Sequence, residues 1–199
     1  MRHIVLIILC ILLTPLSARA ELPLTIAGIT LGQDIEQFRD FCMSETEMGL
    51  RDQPFLNELS IDPSKFDGMR GGSIDYGNCQ DFGRIVRLKL KFQEQYGRDL
   101  FNKLLKLYKK ELGEPDAWKG NVFHTIVAWE WTIREGDEFV EILLMYSEDP
   151  EVRPGVSIKA TYRSQWHRER LCYTKMRHRI NQKALQSQKS LDLGQFLPQ

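Results

Sequence analysis

Between Ile85 and Phe92 apolar and basic residues take turns. Val86, Leu88, Leu90 and Phe92 share one side, and Arg87, Lys89 and Lys91 share the other. A period of two is the period of side chains on a pleated strand, so this segment predicts a strand with one buried and one wet face. The period then changes. Phe101, Leu104, Leu105, Tyr108 and Leu112 recur at helical spacing and make a single apolar stripe. Asp99 can cap that helix, Gly113 ends it and Pro115 blocks its resumption. Three more strands are expected. Phe123 to Ile133 alternates, Phe139 to Tyr146 is nearly all apolar, and Val156 to Arg163 alternates again. Gly136-Asp137 marks a hairpin between the first two. A last helix is expected from about Gln165 to Leu185.

The first third of the chain is less regular. Leu22 to Thr30 suits an edge strand, and Asp34 can cap a helix with Ile35, Phe38 and Cys42 on its apolar side. Residues 43–72 lose all periodicity and read as a long loop, with one short helical turn near Pro54–Leu59. Ser73 to Tyr76 suits a short strand before a turn at residues 77–81. The expected order is α-β-β-α-β-β-β-α. This is an α+β fold, an antiparallel sheet of about five strands with helices packed on one face.

The amino terminus changes the picture of where this fold works. A basic start, an apolar run from Ile4 to Leu13, and Ser17-Ala18-Arg19-Ala20 read as a secretory signal peptide over residues 1–20. Residues 21–186 are then a single domain and residues 187–199 a flexible polar tail. An exported protein is expected, periplasmic or secreted, with no transmembrane segment in its mature part. Three cysteines follow the leader: Cys42, Cys79 and Cys172. In an oxidising compartment the expected disulfide is Cys42–Cys79, which brackets one loop, with Cys172 as a buried free thiol or the site of a mixed disulfide.

Charge is distributed unevenly. From Lys159 onward there are nine Lys or Arg against two acids, Glu169 and Asp192, whereas residues 21–158 carry sixteen bases against twenty-five acids. The basic end coincides with the last expected helix.

The phrase Gly28-Ile29-Thr30-Leu31-Gly32-Gln33 precedes a helix. Later, Leu107-Tyr108-Lys109-Lys110-Glu111-Leu112-Gly113-Glu114-Pro115 precedes a Trp-bearing strand. In these two segments the chain resembles small exported bacterial domains of the beta-lactamase-inhibitory-protein-like type, over roughly residues 24–163. The resemblance implies a helix-plus-antiparallel-sheet module, often periplasmic, that acts by binding. The long basic helix and the loop at 43–72 depart from it, and no binding residue carries across.

Candidate chemistry is sparse. No nucleophile elbow, HExxH, P-loop, dinucleotide fingerprint or EF-hand loop occurs, so no cofactor, metal or catalytic residue is assigned. On the last helix His167 and His178 return to one side but lie eleven residues apart, about 16 Å of rise, and Cys172 points elsewhere, so one metal cannot be reached by all three. Two contact surfaces are expected. One is the basic helix with Arg168, Arg170, Arg177 and Arg179. The other is the polar sheet face, where Lys89 and Glu130 flank the apolar Leu143 and Met145. The expected function is an exported, non-catalytic binding or interaction module of the bacterial cell envelope. Its expected partner is an envelope protein or an anionic surface. A small periplasmic hydrolase-like enzyme with a site assembled in the fold is the alternative. Nucleic acid is not an expected partner, because the helix lacks aromatic side chains for base stacking on its charged side. No oligomeric state follows from the sequence.

Overall fold

The structure, a computed structural model, describes residues 22–149 and 154–187. The expected leader lies outside the described residues, as does the expected tail beyond Ser187. Strands β1 (Thr25–Ile26) and β2 (Ile29–Thr30) form a small hairpin. The main sheet contains β3 (Met48–Gly49), β4 (Leu56–Ser60), β5 (Met69–Gly77), β6 (Ile85–Phe92), β7 (Ala117–Trp118), β8 (Ile126–Glu135), β9 (Glu138–Ser147) and β10 (Gly155–Tyr162). Two α-helices complete the fold, α1 (Gly97–Leu112) and α2 (Arg163–Ser187). The α+β class is as expected. The sheet has eight strands rather than about five, all antiparallel, in the order β3-β4-β5-β6-β10-β9-β8-β7.

The additional strands are β3, β4 and β7, and β5 is longer than the expected Ser73 to Tyr76. β4 buries Leu56 on one side of the sheet and Leu59 on the other. A strand with both faces partly covered shows no alternation, so residues 43–72 read as loop when β3, β4 and the start of β5 lie there. β5 contains Gly71, Gly72 and Gly77, and its register with β6 shifts between Met69 and Gly71. A bulge of this kind breaks the period of two. The edge strands β3 and β7 have two residues each, which leaves little exposed backbone for another chain to pair with. The segment after Asp34 is a 3-10 helix, Ile35–Phe41, and Asp34 Oδ1 accepts the Glu36 N–H at 3.1 Å.

One face of the sheet holds the main core. Phe101, Leu104, Leu105, Tyr108 and Leu112 of α1 pack there over Leu88, Leu90, Ile142, Leu144 and Trp131. The Trp131 indole N–H donates to the Gly113 carbonyl at 2.9 Å, so the strand holds the end of α1 in place. The second helix does not join α1 on that face as expected. From α2, Trp166 and Tyr173 close a separate cluster with Phe55, Leu56 and Val86, and Arg163 pairs with Glu141 of the polar face at 2.5 Å.

The disulfide also differs from expectation. Cys79 bonds to Cys172, with their Cα atoms 6.0 Å apart, and Cys42 is the free cysteine. Cys42 bridges Ile61, whose N–H donates to Gly72 at one end of the β4–β5 pair. Cys79 follows Gly77 at the other end, about 17 Å away at ~3.3 Å per residue. A disulfide needs Cα atoms within about 7 Å. Cys42 is half-buried, its thiol donates to the Phe38 carbonyl at 3.5 Å, and burial pushes its pKa up to about 11. The thiolate fraction at pH 8 is therefore roughly a hundredfold below that of an ordinary cysteine. Iodoacetamide is expected to label Cys42 in the folded protein at a correspondingly slow rate, read by intact mass. Labelling as fast as in urea would contradict this account.

Candidate functional site

The register of the strands arranges the polar face as a lattice. One row runs Glu58, Asp75, Arg87, Thr161, Glu141, Thr132, and the next runs Ser60, Ser73, Lys89, Lys159, Leu143, Glu130. Asp75 is completely buried, in contact with the Arg87 guanidinium and 3.3 Å from Lys89 Nζ. Lys89 also contacts Glu58 at 2.8 Å, and Gln53 Oε1 accepts from both Arg87 at 3.1 Å and the Trp166 indole at 2.9 Å. Burial drives the Asp75 carboxyl above the usual carboxylate range despite its two cations. Burial pulls Glu58 the same way, but the hydrogen bonds from Lys89 and Ser73 outweigh it and hold that carboxyl low. Short side chains at Ser60, Gly72, Ser73 and Ser157 leave a depression of about 240 Å³ beside Lys89, Lys91 and Lys159.

The expected sheet-face residues are therefore on one face, as the alternation requires, but they are not equally accessible. Lys89 is held by Glu58 and Asp75, and Glu130 pairs with Lys119 at 3.1 Å. Leu143 is half-buried. Met145, expected to be exposed, is only 7 % exposed. Opposite charges placed across strands stabilise a sheet in the ordinary way, and most of the charge on this face is used so.

The first turns of α2 are bound firmly to the domain. Glu169, fully buried, accepts the backbone N–H groups of Cys79 at 2.8 Å, Gln80 at 3.0 Å and Asp81. This carboxylate satisfies three donors of one loop at once, and charge-assisted bonds of this kind are stronger than neutral ones. Gly77 makes room for it, since a Cβ there would lie 2.7 Å from the Glu169 carboxyl carbon. Arg168 pairs with Asp81 at 3.2 Å and Glu138 at 2.6 Å, and the Cys79–Cys172 bond follows one turn later.

Beyond Cys172 and the half-buried Tyr173 the helix leaves the domain. Every described side chain from Thr174 to Lys183 is exposed, including Met176 at 46 % and Ile180 at 57 %. Arg170, Lys175, Arg177, Arg179 and Lys183 lie on α2 after Glu169, with no acid among them up to Ser187.

The expected basic set thus divides. Arg168 is part of the anchor. Arg170 is exposed and sits over the Trp166 ring at 5.5 Å, and Arg177 and Arg179 are on the projecting turns. His167 rests against the rings of Trp166 and Phe139, and His178 hydrogen-bonds Gln182 at 3.0 Å. Glu169 was missed in the sequence. Its signal was present, as the one acid among the eight bases from Lys159 to Lys183, in line with Cys172 and Met176 on the helix wheel.

Among the described residues no three His, Cys, Asp or Glu side chains converge as a metal site, and no helix is long and apolar enough to cross a membrane. Comparison with known protein families, curated proteins and solved structures returns no match for this chain.

Proposed function

We propose that this chain is an exported binding module of the bacterial cell envelope that works by contact rather than catalysis, with α2 as its contact element. The observation that carries the reading is the division of that helix. Its first turns are tied to the domain by a disulfide, a buried carboxylate and two salt bridges, and the rest stands clear of the fold. An isolated helix of this length is marginal in water, so the anchoring presents turns that would otherwise fray. Met176 and Ile180, adjacent on the projecting turns, group apolar surface there, and grouped apolar surface rimmed by charge is a mark of a contact site. The exported, disulfide-permissive setting expected from the leader agrees with the Cys79–Cys172 bond.

Replacing Lys175, Arg177, Arg179 and Lys183 together with Gln is expected to leave the unfolding midpoint unchanged, since each is exposed. Capture of an envelope protein on immobilised domain should fall about tenfold at low salt, and the difference should narrow as salt is raised. Equal capture by both forms would remove α2 as the contact element. Leu143→Ser serves as the comparison on the sheet face and is expected to leave capture intact.

A further inference from the structure

Where α2 leaves the domain, it and the loop at Asn78–Gln80 enclose an open cleft of about 510 Å³. Two rows of α2 side chains line it. Met176 and Ile180 are one turn apart, and Lys175, Arg179 and Lys183 form a ladder with the same spacing. At about 100° per residue these rows are adjacent stripes on one side of the helix. The apolar stripe continues the line of Cys172 and Glu169, which face the domain one and two turns earlier. The helix therefore carries its inward-facing pattern past the point where the domain ends.

We propose that this cleft receives an acidic protein segment that places two apolar side chains, one turn apart, on Met176 and Ile180 and sets carboxylates against Lys175, Arg179 and Lys183. The proposal rests on α2 being the contact element and adds the partner's chemistry. Three bases with no acid on that stretch call for an anionic occupant, and the two apolar side chains beside them call for an amphipathic one. A flat bilayer does not fit, because Met176 and Ile180 line a concave angle that the loop closes from below. A second copy of α2 would bring like charges together. Residues 188–199 offer one acid, Asp192, and one base, Lys189, and do not complement three cations.

The probe is a synthetic helical peptide of about four turns, with Glu at i, i+4 and i+8 beside Leu at i+1 and i+5. The control is the same composition scrambled, and binding to the full chain is read by fluorescence anisotropy. The patterned peptide is expected to bind about tenfold more tightly than the control. Met176→Ser with Ile180→Ser should remove that advantage, and Lys175→Gln, Arg179→Gln and Lys183→Gln together should flatten its salt dependence. Equal binding of the two peptides, or phosphatidylglycerol vesicles bound in place of the patterned peptide, would overturn the proposal. A photo-crosslinking residue placed in the full chain at Ile180 or at His178, on opposite sides of α2, separates the two levels of the reading in envelope extract. Crosslinks from Ile180 support the cleft. Crosslinks from His178 alone keep α2 as contact element and overturn the cleft, and crosslinks from neither overturn both.

Discussion

Replacing Arg87 with Leu is expected to destabilise the domain by about 3–5 kcal/mol at neutral pH, because it leaves the buried Asp75 carboxylate without its closest cation. The remaining cation, Lys89, is shared with Glu58. The sign of the pH dependence follows from the direction of the Asp75 shift. Burial raises its folded pKa above the unfolded value near about 3.9. The protonated carboxyl therefore stabilises the fold at low pH, and that contribution is lost as pH rises through the folded value. Without Arg87 the folded value climbs further. The deficit of the variant should thus shrink as pH is lowered from neutral toward the ordinary carboxylate range. Asp75→Asn in the Arg87→Leu background should recover part of the loss. Urea unfolding followed by tryptophan fluorescence measures all of these. A loss under about 1 kcal/mol, or one independent of pH, would show that the pair is not buried as described.

Cys172→Ala is expected to cost about 4–5 kcal/mol by the same assay, because Cys79 and Cys172 are 93 residues apart in sequence and close a long loop. Its local effect matters more for function. The disulfide is the last covalent tie before the helix projects, so its loss transfers the whole anchor to Glu169 and the Arg168 pairs. Amide hydrogen exchange over residues 174–183 should quicken in the variant and under reducing conditions, while exchange in β6, β9 and β10 follows only the global change. Unchanged protection over 174–183 would mean that Glu169 and Arg168 hold the helix without the disulfide.

Elements whose burial is one-sided are legible along the chain. β6 alternates from Leu88 to Phe92, where one face meets the main core. Val86, expected on the side of Leu88, instead lies at the register shift with β5 and packs in the cluster with Phe55 and Leu56. α1 shows a stripe because only one side meets the sheet. β4 is illegible for the opposite reason, with Leu56 and Leu59 buried on opposite faces. The polar face was placed correctly by parity alone, since the period of two forces Arg87, Lys89 and Glu130 to one side. Parity carries no information about what lies above a face, and so Met145 was expected to be exposed when it is buried.

By itself the sequence determined the α+β class, the strands from β8 to β10, both α-helices and the concentration of positive charge on the last one. These are local properties, set by the spacing of apolar positions and by composition. Only the tertiary structure decided which cysteines meet, where α2 departs from the domain, and that Glu169 is its anchor. Each of these depends on β5 carrying the chain from the neighbourhood of Cys42 to the far end of the sheet, where Cys79, Gln80 and Asp81 face α2. Residues so far apart in sequence are brought together by strand pairing, and the spacing of residues along the chain does not record it.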